Sequence, residues 1–436
     1  MIIDAPAPRP TIAPAEASNR RSRSAVRVTE AKLIHAGRDA SCATRSEAAR
    51  FLRQFTRNAL YRTGALTLYH RLRNRRTLTV VTFHRVLRRG DARWETALAP
   101  WTLEEAAFDQ CLEFLKRHYS IVSLDDVRQA LKRARPLPAR SLLLTFDDGF
   151  ADNLDYALPL LRKHGATATI FITSDSIGSS ERLWTEDLLW AVSRGRVSQR
   201  QLTCLHTILI GCVREPQDAN LIWNIVRRGP NYDAGLVELV LSTLDIDLQR
   251  VRSPRQMLRR EEIATLVANG IWIGAHGKTH SAFPASSDVA VELSHPRAVL
   301  KEIITPYGQG TVDALSFPHG AYTLEIADQA LSAGYELLFT GEPELCCLDQ
   351  GYLATSLIGR LDADARRIAP AGQFRPEMLA ASLFMAARRQ PDRGSRIAAR
   401  ARQHATEIVR MTGYGLLAHL WRRLLDPRRS AKREAR

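Results

Sequence analysis

Two short clusters, far apart in the chain, carry the residue types best suited to a reaction. One is Thr145-Phe146-Asp147-Asp148-Gly149-Phe150 and the other is His276-Gly277-Lys278-Thr279-His280. One carboxylate and two imidazoles can hold a divalent cation through three protein ligands. Such a set leaves coordination positions open, which is the catalytic rather than the structural arrangement for zinc. The remaining carboxylate is then free to act as a base. Each cluster alone has a plainer reading, since adjacent aspartates often cap a helix or turn a chain. Two histidines four apart are commonly surface or core residues. Their coincidence points to metal-dependent hydrolysis.

The flanking residues say what positions them. The apolar run Ser141-Leu142-Leu143-Leu144 reads as a buried strand that Gly149 breaks, and Ile271-Trp272-Ile273-Gly274-Ala275 as another. Both clusters therefore sit just past the C-terminal end of a strand, where α/β folds place their chemistry. The spacing of His276 and His280 is that of a helical turn, which lets both rings point to one side.

Further strands are predicted at 78–83, ending at His84, and at 121–122, 168–172, 313–317 and 336–340. Helices are predicted at 124–131, 156–163, 257–268, 296–304 and 323–333. Thr102-Leu103-Glu104-Glu105 has a capping-box pattern, opening a helix with the stripe Phe108, Cys111, Leu112 and Leu115. This alternation implies a parallel sheet. The predicted fold is α/β, a distorted (β/α) barrel of about seven parallel strands. A mostly helical insertion at about 190–256 interrupts it.

The chain has 436 residues, is 45% hydrophobic and carries a formal net charge of +16. Residues 1–76 hold 16 basic and 5 acidic side chains, and residues 366–436 hold 17 and 5. The body between them, 77–365, carries 29 basic against 36 acidic and is mildly acidic. The high isoelectric point therefore belongs to the two ends, and no nucleic-acid partner is expected of the body. Residues 1–76 read as a basic extension, disordered to about 45 and then helical, with Leu52, Phe55, Ala59 and Leu60 on one face. Residues 366–436 read as a basic helical extension with Leu416, Leu417, Leu420, Trp421, Leu424 and Leu425 at helical spacing. Such tails suit peripheral contact with an anionic membrane, or packing on the barrel with a solvated arginine face.

Six scattered cysteines without a C-x-x-C pair argue against a disulfide framework. The first residues lack an apolar signal-peptide core, and no run reaches the roughly 20 apolar residues of a membrane span. A cytoplasmic protein, peripheral to the inner membrane at most, is expected.

Together with Ser316-Phe317-Pro318-His319-Gly320, the two clusters occur in the order and rough spacing of the polysaccharide deacetylase family, which contains the rhizobial chitooligosaccharide deacetylase domain. Phe83-His84, Trp184 with Asp187, and Gly334-Tyr335 agree, and the resemblance covers about 78–365. It implies a distorted barrel with fewer than eight strands and a divalent metal, often zinc. It implies Asp147 as general base, Asp148, His276 and His280 as metal ligands, and the backbone N–H of His319 as an oxyanion donor. His84 is a candidate for protonating the leaving amine, or else a structural hydrogen-bonding residue. Trp184 is a candidate sugar platform, or else a core tryptophan.

Three departures from the family stand out. Ser316 occupies the place where many relatives have an arginine beside the catalytic aspartate. Arg360 is the candidate substitute, its plainer reading being a surface arginine at a strand end. The late Leu-x-His motif that supplies a general acid is missing. Gly277 replaces the usual Ser or Thr, which should loosen support for the histidines. These losses resemble a branch linked to exopolysaccharide and cell-surface glycans. The resemblance thus implies removal of N-acetyl groups from N-acetylhexosamines of an acetylated oligo- or polysaccharide. The rivals are an O-acetyl esterase and a catalytically silent glycan-binding protein.

Overall fold

A computed structural model describes residues 54–179, 183, 186, 187, 189, 190, 197–210, 239, 242, 243 and 255–389. Trp184, Leu52, most of the 190–256 insertion, and the terminal segments 1–53 and 390–436 lie outside the described residues, as do Cys42 and Cys212. The chain divides into two compact units, Met1–Thr63 and Gly64–Arg436. In the first, residues 54–62 are helical.

Seven parallel strand positions form a barrel. Thr77–Phe83 pairs with Ser141–Phe146, and the sheet continues through Thr169–Ile172, Trp272–Ala275, Ala314–Ser316 and Leu337–Phe339 to Leu357–Ile358. Two residues further on, Leu361–Asp362 pairs with the first strand, Val81 opposite Leu361 and Thr82 opposite Asp362. The stretch 357–362 therefore bridges the last strand and the first, and Gly359-Arg360 is the closure point. The expected barrel of about seven parallel strands is present. Ser120–Ile121 extends it beside 141–142. Glu344–Cys347 adds an antiparallel partner to Thr77–Leu78, itself paired with Ala387–Arg389.

The strands form where apolar, β-branched runs can be buried on both faces, as parallel strands require. All seven residues of Thr77–Phe83 and all six of Ser141–Phe146 are buried. Alternate residues share one face of a strand. Leu78, Val80, Leu143, Phe171, Ala314, Leu337, Phe339 and Ile358 belong to one buried cluster that fills the barrel. Gly274 lies under the Phe171 ring, where a Cβ would come within 2.5 Å of ring carbons. That position must be glycine for the plug to seat.

Helices Glu105–His118, Leu124–Leu131, Leu158–His164, Arg260–Ala268, Val289–Ile304 and Leu324–Ser332 follow the strands. The stripe Phe108, Cys111, Leu112 and Leu115 is buried as expected. The capping box at 102–105 is not formed. Thr102–Glu104 is instead a short strand beside Arg85–Leu87, and the Thr102 hydroxyl donates to the Leu98 carbonyl. A true capping box sits at Ser123 and Asp126. Helix Val289–Ile304 starts seven residues before the predicted 296, because Asp288 caps it and Pro296 is tolerated inside it. Past Asp364, helix Pro376–Phe384 packs on helix Ala65–Arg73, with Asn74 Nδ2 and Arg73 Nη1 donating to the Phe384 carbonyl. The described cysteines Cys111, Cys204, Cys346 and Cys347 are free. Among the described residues no helix is long and apolar enough to cross a membrane.

Candidate functional site

The period-two alternation that builds the plug also builds the mouth above it. Following Leu78 and Val80 in the same phase come Thr82 and His84, and following Leu143 come Thr145 and Asp147. Trp272 and Gly274 lead to His276, and Ile358 leads to Arg360 and Asp362. All of Thr82, His84, Asp147, His276, Arg360 and Asp362 line one cavity of about 170 Å³, with Asp148, His280 and His319 beside them. Each strand thus changes from apolar to polar as it leaves the barrel, at the end where such folds place ligands. Thr82 and Thr145 mark the change, their hydroxyls 3.1 Å apart.

Asp147 and Asp148 diverge because the chain turns sharply between them. The Asp147 N–H still donates to Phe83 as a strand residue, but Asp148 has φ +76° and Gly149 φ +85°. The left-handed turn sends the two carboxylates to different partners. Asp147 receives a two-pronged bond from Arg360, Nη1 to Oδ1 at 2.7 Å and Nη2 to Oδ2 at 2.9 Å. The Ser316 hydroxyl lies 3.4 Å from Oδ2. Arg360 is only 7% exposed and also donates Nε to the Thr340 carbonyl, so it is not a surface arginine. Burial alone would raise the pKa of Asp147, but the charges of Arg360 and His276 outweigh it and hold the carboxyl below its ordinary value.

Asp148 Oδ1 lies 3.3 Å from His276 Nε2 and 3.1 Å from His280 Nε2. The three candidate ligand atoms are all within 4.8 Å of one another. Although buried, Asp148 Oδ1 accepts no hydrogen bond of acceptable geometry. A buried carboxylate oxygen in that position requires a cation or a proton donor. The tautomer of His276 follows from its other nitrogen, which donates Nδ1–H to the Ser316 carbonyl at 2.9 Å and leaves the Nε2 lone pair facing Asp148. Burial depresses the basicity of His276, but Asp147 and Asp148 overcome this and its pKa is raised. The same negative charge that draws a proton to Nε2 draws a cation. One carboxylate and two imidazoles at these distances fit a divalent metal with open positions.

The two histidines do not converge through a helical turn. Residues 276–280 form a loop in which Gly277 (φ +75°) and His280 (φ +64°) take the left-handed conformation. A Cβ on Gly277 would lie 3.0 Å from Phe283, 3.1 Å from Glu292 Oε2 and 3.2 Å from Pro318. Glycine is therefore required here, and support for the loop comes from Glu292 rather than from a hydroxyl at 277. Glu292 was not singled out in the sequence because the helix that carries it was expected to begin only at Pro296.

His319 has φ +57° and donates Nε2–H to the His280 carbonyl at 3.1 Å. Burial, reinforced by the nearby His280 and His276, lowers its pKa well below the ordinary value. The ring is neutral and tied to the loop. His84 stacks on Trp101 with centroids 5.3 Å apart, and its buried Nδ1 has no hydrogen-bond partner. Leu183, Glu186 and Leu189 also line the cavity, as do Trp101, Thr340 and Pro343, none of them expected from the sequence as lining residues. No motif in the sequence signals them.

Known proteins resemble this chain. "Putative polysaccharide deacetylase YxkH" of Bacillus subtilis (strain 168) is 35% identical over 82 residues, which are 19% of this chain and 29% of that protein. The chain thus spans less than a third of that curated relative. Among solved structures, the Streptococcus pyogenes deacetylase PplD in complex with acetate superposes with TM-score 0.44 at 15% identity, covering 70% of this chain and 98% of that one. IcaB from Ammonifex degensii gives TM-score 0.40 at 16% identity, with coverage of 74% and 97%. The family model described as polysaccharide deacetylase matches residues 134–338, which include both motif clusters and His319. Over those residues, just under half of its length, this chain is similar to the polysaccharide deacetylase family.

Proposed function

We propose that the protein is a metal-dependent carbohydrate deacetylase, which hydrolyses the acetamide of N-acetylhexosamine residues in an oligo- or polysaccharide. The observation that carries this reading is a division of labour between adjacent carboxylates. Asp148 faces two imidazole nitrogens, while Asp147, in the same cavity, is clamped by Arg360.

In this reading Asp148, His276 and His280 hold the metal, most simply Zn²⁺. A bound divalent cation supplies Lewis acidity toward an acetyl carbonyl and lowers the pKa of water. Asp147, ionised and oriented by both guanidinium nitrogens of Arg360, takes the proton from the attacking water. The Arg360 fork leaves Asp147 little rotational freedom, which keeps its oxygens aimed at the cavity. The His319 backbone N–H is the proposed donor to the developing oxyanion. His84, which lines the cavity, is the proposed proton donor to the departing amine. Arg360 fulfils from the closing strand the role that an arginine at 316 would fulfil in relatives.

The reading is tested by acetate release from N-acetylated chitooligosaccharides. The purified full chain should release acetate, lose that activity on chelation and regain it with Zn²⁺. Rates on O-acetylated xylan run in parallel separate amide from ester hydrolysis. An absence of acetate from every acetylated glycan, despite bound zinc, overturns the proposal.

A further inference from the structure

The loop between the two candidate ligands His276 and His280 has its main-chain polar groups held from two sides. On one side its carbonyls accept hydrogen bonds. Gly277 takes one from the Ser174 N–H at 3.2 Å, Lys278 one from the Asp175 N–H at 3.0 Å, and His276 one from the Thr173 hydroxyl at 3.3 Å. On the other side its donors converge on a single carboxylate. Lys278 N–H and Thr279 N–H reach Glu292 Oε2 at 2.6 and 3.1 Å, and the Thr279 hydroxyl reaches Oε1 at 2.5 Å.

Glu292 is 5% exposed and stands in the first turn of helix Val289–Ile304. A carboxylate in that turn is favoured by the helix dipole. Its bonds to successive backbone N–H groups are charge-assisted and short, so it is a stiff clamp. The fit is reciprocal, because the missing side chain at Gly277 leaves the space in which Glu292 Oε2 sits. Gly277 adopts its left-handed backbone freely, but His280, a non-glycine at φ +64°, is costly to hold there unless the surroundings over-determine it. Glu292 supplies that determination on the side the strand ends do not reach.

We infer that Glu292 is a positioning residue for the metal site, fixing the 276–280 loop so that both imidazoles face Asp148 before any cation binds. The inference rests on the proposed reading of Asp148, His276 and His280 as ligands. Its energetic consequence is preorganisation: without the clamp, the cation must order the loop as it binds, and affinity falls. Outer partners of this kind are worth about 10- to 100-fold in metal affinity.

The test measures Zn²⁺ affinity by chelator competition on the full chain, with thermal unfolding of the metal-free protein alongside. Glu292→Ala should bind Zn²⁺ about 10- to 100-fold more weakly than the wild type. Glu292→Gln, which can still present an oxygen to the two N–H groups, should fall between them. A merely structural role would lower the unfolding temperature of both variants while leaving the affinity of the folded protein unchanged. Affinities within twofold of wild type in both variants overturn the inference. If Glu292→Ala does not fold, Thr279→Val decides together with Glu292→Gln. Weaker binding in the pair supports the clamp, and unchanged binding in the pair overturns it. A wild-type chain that binds no Zn²⁺ is a different result, since it removes the metal-site reading itself.

Discussion

Among the described residues, two pairs of histidines occupy environments that could hardly differ more. His276 and His280 sit at the barrel mouth against the Asp148 carboxylate, 3.3 and 3.1 Å away. His70 and His118, the latter the last residue of helix Glu105–His118, sit in an aromatic cluster. His70 stacks on Phe384 with centroids 4.0 Å apart, and His118 meets the same ring edge-on at 5.2 Å. His70 Nδ1 accepts from Asn74 Nδ2 and its Nε2–H donates to the His118 carbonyl. Burial and neighbouring cations lower both His70 and His118 to about 4, whereas the carboxylates raise His276. Burial by itself therefore makes a neutral packing residue. A carboxylate partner and an open Nε2 lone pair are what make a candidate ligand.

That contrast can be broken from either side. The largest effect is expected at the mouth, where His276→Ala should abolish stoichiometric metal binding. Acetate release should fall about a thousandfold or more, since several kcal/mol of transition-state stabilisation go with the cation. Loss of turnover with full metal content would contradict the assignment.

Removing Arg360 should cost stability rather than metal. Arg360→Ala leaves Asp147 buried without its charge partner, a change worth about 3–5 kcal/mol in buried pairs. Denaturant unfolding of the metal-free chain measures it, and a cost below about 1 kcal/mol would show the pair to be solvated. On the opposite side, His70→Ala should destabilise by about 2–4 kcal/mol through the cavity it leaves, with zinc affinity unchanged. A change in affinity there would erase the distinction between the two sets.

The contrast can also be tested through pH. For His70 and His118 the folded pKa, about 4, lies below the ordinary 6.5. The unfolded chain takes up protons first, so their contribution to stability is complete above 6.5 and is lost as pH falls toward about 4. Unfolding midpoints measured across that window should decline toward acid, and less steeply in His70→Phe. An equal decline in the variant would assign the acid loss to other groups.

How much of this was legible in the sequence depended on how local the signal was. The strands were, because a buried parallel strand needs a continuous apolar run, and 141–144 and 271–275 are such runs. The two motif clusters were, because their residue types are uncommon together. The partner of Asp147 could not be fixed, since Arg360 is remote in sequence and reaches it only where the barrel closes. The spacing at 276–280 predicts a helical turn where the chain forms a loop, because spacing alone does not report φ. Glu292 escaped notice because Pro296 resembled a helix start, whereas Asp288 had already capped the helix. Local propensity was readable, and long-range pairing was not.

The claim on which the account rests is that neighbouring carboxylates divide the work, one holding the metal and the other the proton. Zinc content per chain in Asp147→Asn and Asp148→Asn, each assayed beside its acetate release, tests it directly. The account predicts one zinc per chain and a rate reduced about 10²- to 10⁴-fold in Asp147→Asn, the range expected for loss of a general base. It predicts loss of both metal and activity in Asp148→Asn. Equal zinc content in the two variants, or an active Asp147→Asn protein, would contradict it.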